Sequence, residues 1–134
     1  MALRFLLDTH VLIRWLVDPG RLSPHQSQVL RDSVLAREPL SISAMSLIDI
    51  AVLKNTDGTR MKKTADELFS ALNANSALNV LPITLEVAAE LASLGNVLRD
   101  RADRTIVATA RVHRLTLLTS DQRIIESGLV PVIE

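Results

Sequence analysis

The sequence predicts an α/β fold, a three-layer α/β/α sandwich around a mainly parallel central sheet. Three observations carry that expectation. Short apolar runs alternate with helical segments along the whole chain, which calls for right-handed crossovers and a sheet covered on both faces. The chain has 134 residues, 48% hydrophobic and 22% charged, so one globular domain spanning 1–134 is expected. No internal repeat, linker or low-complexity stretch divides it.

The elements follow in order. Leu3–Leu7 reads as a buried strand ending at Asp8, after which Thr9 caps a helix to about Val17, stopped by Asp18-Pro19-Gly20. Ser23-Pro24 opens a second helix toward Arg37, with Ser at the cap and Pro at the first helical position, and Pro39 ends it. Leu40–Ser43 is a strand. A third helix runs from Ala44 to Lys54 and is closed by Asn55-Thr56-Asp57-Gly58. Thr64 with Glu67 three residues on forms a capping-box pattern for a helix to about Ala77. Asn79–Ile83 is a strand, and Thr84 caps a helix to about Leu94. A helix from Ala102 to His113, a strand Leu115–Thr119, a short helix Asp121–Glu126 and a terminal strand Val130–Ile133 complete the chain.

Composition removes several function classes. Without cysteine there is no disulfide frame, thiolate zinc site or thiol nucleophile. Trp15, Phe5 and Phe69 are the only aromatics, too few for a base-stacking platform. Fifteen basic residues offset fifteen acidic ones, which argues against adhesion to nucleic acid by bulk charge. The opening apolar run is too short for a secretory core, and no later run reaches the roughly 20 residues of a membrane span. A soluble, cytoplasmic protein with no membrane contact is expected. The basic residues are 12 Arg and 3 Lys, and the acidic ones 9 Asp and 6 Glu, so the aspartates need a reason.

Functional groups of parallel sheets collect beyond the carboxyl ends of the strands, at the switch point of strand order. Asp8 follows the first strand, and Asp121 follows Leu115–Thr119 with Thr119 and Ser120 beside it. Both also suit ordinary loop caps. Asp103 falls in the first turn of the preceding helix, a position that the helix dipole alone favours. Asp49 is the only charge within Leu47–Leu53, a helix that reads as buried nearly all round; the other reading is a thin solvent stripe with Ser46 and Lys54. Four carboxylates sharing a pocket raise one another's pKa unless a cation neutralises them, and all-oxygen sites suit Mg2+ or Mn2+. That chemistry points to metal-dependent cleavage of phosphodiesters or phosphomonoesters.

The order of motifs resembles the PIN-domain ribonucleases, closely so the VapC-type toxins of bacterial toxin–antitoxin pairs. Leu6-Leu7-Asp8-Thr9-His10-Val11-Leu12-Ile13-Arg14-Trp15 is similar to the LLDTHxLLxW start of one VapC subgroup. Ala102-Asp103-Arg104-Thr105-Ile106-Val107-Ala108-Thr109-Ala110 is similar to FDRLLIAQA, Leu115–Asp121 to LTLLTxD, and Leu81-Pro82-Ile83-Thr84 to LPIT. Each is weak alone; the four in order are specific. Two departures stand out. Asp49 falls where the family has Glu in a segment resembling SxWEIAIK, whose tryptophan is Ile48 here. Against HRDPFDR, this chain keeps Asp100 and Arg104 but lacks the His and Pro.

The resemblance implies Asp8, Asp103 and Asp121 as metal-site acids, Asp49 as the fourth, and Thr119 as their support. It implies an endoribonuclease using Mg2+ or Mn2+, cutting structured RNA such as tRNA or ribosomal RNA loops to leave 5′-phosphate and 3′-hydroxyl ends. A VapB-type antitoxin that offers an Arg to Asp8 and Asp103, and a homodimer, are the implied partners. Arg99, Arg101 and Arg104 cluster beside Asp103, where RNA or antitoxin would approach; a solvated, salt-bridged helix start is the plainer reading. Asp100 reads as a helix N-cap acid. His10 reads as a packing or capping residue, and His25 and His113 as surface residues. Two alternatives remain: a weak or inactive PIN-fold module that binds RNA or antitoxin, and a Mg-dependent phosphatase or receiver-like α/β domain.

Overall fold

Among the described residues five short strands, Phe5–Leu7 (β1), Leu40–Ser43 (β2), Leu78–Leu81 (β3), Thr116–Leu118 (β4) and Val132–Ile133 (β5), form one sheet in the order β3-β2-β1-β4-β5. All four pairings are parallel, with Leu6 opposite Ser41 on one side and Leu117 on the other. The structure, a computed structural model, describes residues 3–53 and 65–134. The helices are Thr9–Val17 (α1), Pro24–Leu35 (α2), Ala44–Ala51 (α3), Ala65–Ala74 (α4), Leu85–Ser93 (α5), Arg101–His113 (α6) and Gln122–Ser127 (α7). A 3-10 turn at Pro19–Arg21 joins α1 to α2.

Strand alternation sends successive side chains to opposite faces. Phe5, Leu7, Leu40, Ile42 and Leu118 pack with Val11 and Leu12 of α1, Leu30 of α2, Ile50 of α3 and Leu68 of α4. Leu6 and Leu117 pack on the other face with Val87 of α5, Ile106 and Val107 of α6 and Ile124 of α7. Two cores on one sheet make the three layers of the expected sandwich. Burying each leucine of β1 and β4 stabilises the fold by about 2 kcal/mol. The inner strands β1 and β2 are buried at every position, so their runs are apolar or small rather than alternating.

Several local expectations need correction. Asp8, not Thr9, stands at the N-cap of α1, with no capping bond from its side chain, because both side chains are used elsewhere. α2 stops at Leu35, and Arg37 adopts φ 55°, the left-handed conformation, before Pro39. α3 stops at Ala51 and is not buried nearly all round: Ser46 and Ile50 face inward while Ile48 is 50% exposed. Asp49 therefore sits at the border of a solvent face. β3 lies earlier than expected, at Leu78–Leu81, half-exposed at the sheet edge. The expected end at Lys54, the loop at Asn55–Gly58 and the Thr64 cap lie outside the described residues.

Candidate active site

The switch point of strand order falls between β1 and β4, where chain connections leave toward opposite edges of the sheet. Asp8 leaves the end of β1 there and is only 4% exposed. The hydroxyl of Thr119, fully buried just past β4, donates to Asp8 Oδ2 at 2.8 Å and accepts the backbone N–H of Asp121 at 3.1 Å. One threonine thus ties the acid of β1 to the acid that opens α7. Asp121 caps α7, its Oδ1 accepting the Arg123 N–H at 2.9 Å.

Asp103 approaches from the first turn of α6. Asp100 caps that helix by accepting the Asp103 N–H at 2.9 Å, as its sequence position implied. Asp49 comes from α3 and meets the site through Thr9, whose hydroxyl donates to Asp49 Oδ2 at 2.8 Å. Ser46 Oγ lies 2.8 Å from the same hydroxyl. A hydroxyl carries one proton, so with Thr9 donating to Asp49, Ser46 donates to Thr9. That use of Thr9 explains why it does not cap α1.

Charge separates the acids. Burial pushes the Asp8 carboxyl above its ordinary range, opposed by the Thr119 hydrogen bond and the nearby His10. Burial, then the charges of Asp100, Asp121 and Asp8, push Asp103 up to about 6, with Arg123 opposing. Asp121 is held below its ordinary value, chiefly by the Arg123 side-chain hydrogen bonds. The shared coulombic effects place Asp8, Asp103 and Asp121 in one electrostatic cluster, whereas Asp49 joins only through Thr9, next to Asp8 in the chain.

Arg123 is the residue that sequence reasoning passed over. Its guanidinium grips Asp121 with Nε 3.3 Å from Oδ1 and Nη2 3.1 Å from Oδ2, and Nη2 also lies 3.5 Å from Asp103 Oδ2. The signal was available: an arginine two residues after a helix-capping acid is within reach of that acid. The arginines singled out earlier lie otherwise. Arg99 and Arg101 are exposed and enter none of the ion pairs found among the described residues. Arg104 directs Nη1 at the carbonyl of Gly95, 3.5 Å away, and its Nε is buried without a partner among the described residues. His10 is exposed rather than packed, His25 is exposed as expected, and His113 is half-buried with Nε2 enclosed, which corrects its reading as a surface residue.

The donor set fits a hard divalent cation in kind: carboxylate oxygens and a hydroxyl, with no sulfur or imidazole required. Burial first, and neighbouring carboxylates after it, raise the Asp8 and Asp103 carboxyls, and a bound cation would oppose both effects. In spacing the fit is incomplete, since no three acidic or histidine side chains among the described residues gather closely enough to hold an ion as they stand. The charge between Asp103 and Asp121 is supplied by Arg123 instead.

Comparison with known proteins agrees with this architecture. The sequence profile of the PIN domain matches residues 5–128. Ribonuclease VapC22 of Mycobacterium tuberculosis is 32% identical over 120 residues, covering 89% of this chain and 88% of that protein. The crystal structure of FitAcB from Neisseria gonorrhoeae superposes with a TM-score of 0.65 at 26% identity, covering 97% of this chain and 96% of that one. DNA-bound VapBC from Salmonella typhimurium superposes with a TM-score of 0.71, covering 98% and 97% of the two chains; at 17% identity it speaks for the fold alone.

Proposed function

The chain belongs to the PIN-domain family, and from that premise we propose that it is a VapC-type endoribonuclease, the toxin of a toxin–antitoxin pair, that cleaves structured RNA with Mg2+ or Mn2+. The observation that carries this reading is the meeting of Asp8, Asp121 and Asp103 at the switch point of a parallel sheet, bound together by Thr119 and Arg123. The printed name of the mycobacterial relative supports the ribonuclease assignment, and a VapB-type antitoxin as partner follows from that VapC assignment. A homodimer and tRNA or ribosomal RNA loops as substrates belong to the same proposal.

Asp8, Asp103, Asp121 and Asp49 would hold the metal. When bound, the ion supplies an activated water and neutralises charge developing on the phosphate. The protein's part is positional. Thr119 holds Asp8 in one rotamer, so that the opposite oxygen, Oδ1, is left free of that bond. Thr9 orients Asp49. The exposed Arg99 and Arg101 are near Asp103 in the chain, and their charge would draw a phosphate backbone toward a pocket that would otherwise repel it. No paired His–Asp or Ser–His base arises among the described residues at this site, so proton transfer rests on the carboxylates and solvent.

Purified protein is expected to cleave structured RNA when Mn2+ or Mg2+ is supplied, and to lose that activity in EDTA. Asp8→Asn should lower the rate by about 100-fold or more, because it removes a charge aimed at the reacting centre. Activity untouched by both treatments would overturn the metal-dependent reading. One observation favours the second reading, a weak or inactive RNA-binding module: the acid on α3 is Asp49, one methylene shorter than Glu, and it is engaged by Thr9. A large gain of cleavage by Asp49→Glu would trace weak activity to that shortened reach. RNA retention without cleavage in both proteins would establish the binding module.

A further inference from the structure

The geometry points to Arg123 as a built-in counter-cation that competes with a divalent metal for Asp103 and Asp121. The inference rests on the metal-binding reading proposed above. Arg123 Nη2 lies 3.1 Å from Asp121 Oδ2 and 3.5 Å from Asp103 Oδ2, while Nε holds Asp121 Oδ1 at 3.3 Å. A single side chain therefore occupies both oxygens of one acid and reaches an oxygen of a second acid that arrives on a different helix.

A guanidinium is a planar fork of donors, always charged, that fits a carboxylate through two parallel bonds. The lone pairs that accept those N–H groups are the ones a divalent ion would need at about 2.1 Å. A guanidinium already seated on these oxygens repels and crowds a second cation there, so the two compete for them. Arg123 is also built to leave. Its side chain is 72% exposed, whereas those of Asp103 and Asp121 are 17% and 23% exposed, so it covers the acids from the solvent side. It swings out without opening either core, because Ile124, not Arg123, anchors α7 in the second one.

Arg123 is therefore a positioning residue with two consequences. Without metal it neutralises a cluster of acids that would otherwise repel one another, which keeps the α6 and α7 starts together. With metal its charge is released to the rim, where a phosphate backbone arrives. Metal affinity is set below what the acids alone would provide, and metal binding is coupled to a rotamer change of one exposed side chain.

Isothermal titration of Mn2+ into the purified 134-residue chain tests this without reference to activity. Arg123→Gln should bind Mn2+ about tenfold more tightly than the unsubstituted protein. In EDTA its thermal midpoint should fall below that of the unsubstituted protein, and Mn2+ should restore it. Arg101→Gln removes the same charge two residues from Asp103 without touching an ion pair among the described residues, and it should change the affinity by less than about twofold. Equal or weaker Mn2+ binding by Arg123→Gln overturns the competition and leaves the metal reading standing. An effect of Arg101→Gln as large as that of Arg123→Gln also overturns it, because bulk charge would then explain both. No Mn2+ uptake by any of the proteins removes the metal reading and this inference together.

Discussion

Asp103 carries the heaviest electrostatic load of the candidate acids. Burial and three neighbouring carboxylates oppose its charge, and its pKa rises to about 6 from an ordinary 3.8. The sign of the consequence is definite. Below the unfolded value both states are protonated and the fold bears no penalty; as pH rises through the folded value the charged form destabilises the native state. Metal-free protein in EDTA should therefore lose stability between about pH 4 and pH 6, a loss that Asp103→Asn reduces, the raised Asp8 carboxyl acting in the same direction. Thermal midpoints of the two proteins across that window check it, and a constant difference would refute the shift. Asp121 shows the opposite case a few ångströms away, held low by Arg123. Two aspartates of one cluster differ because Asp103 is the more buried and stands among like charges, while Asp121 has the arginine's fork.

At the scale of elements, the helix caps divide into structural ones and ones given up to the site. Ser23 closes a reciprocal capping box with Gln26 at the start of α2. Gln26 is fully buried and also donates to Ser120, between Thr119 and Asp121, so the cap of α2 braces the loop that carries the site. Asp100 caps α6, while Asp8 stands at the cap of α1 without capping it. Asp100→Ala should cost about 1 kcal/mol by losing the cap. It should also lower the Asp103 pKa by removing a neighbouring charge. Urea unfolding measures the first effect and the Asp103 titration the second; a stability loss with an unmoved titration would show that Asp100 acts only as a cap. Elements were legible where a signal was local. Ser23-Pro24 and Thr84 start helices where such residues cap well, and Leu40–Ser43 is a strand at the expected residues. Boundaries slipped where tertiary contacts decide: Thr9 reads as a cap until its hydroxyl is claimed by Asp49 and Ser46.

Across the whole molecule, the site depends on segments brought together over long sequence separations: β1 with α1, the end of β4 with α7, α6, and α3. An ion binding only the assembled site stabilises the native state by mass action, about 2.7 kcal/mol at a hundredfold excess over its dissociation constant. Mn2+ is thus expected to raise the thermal midpoint of the unsubstituted chain by several degrees and that of Asp8→Asn by much less. Equal shifts in the two proteins would place the ion elsewhere. No described helix is long and apolar enough to cross a membrane. The zero net charge conceals a division that only the assembled chain displays, with acids gathered at the strand ends and Arg99, Arg101 and Arg123 exposed around them.

By itself the sequence determined the fold class, because alternating short apolar runs and capped helices leave few arrangements besides a covered parallel sheet. It also marked Asp8, Asp103 and Asp121, since an acid directly after a buried strand or in a helix's first turn can be read without coordinates. Tertiary structure alone decided the rest. Strand order placed the switch point between β1 and β4. The exposed side of α3 made Asp49 a border residue rather than a buried exception. The ion pairs made Arg123 the partner of Asp103 as well as Asp121, while Arg104 turns to the Gly95 carbonyl. Capping and periodicity act over a few residues and are written locally. Charge pairing between helices depends on distances that exist only once the sheet has ordered its strands.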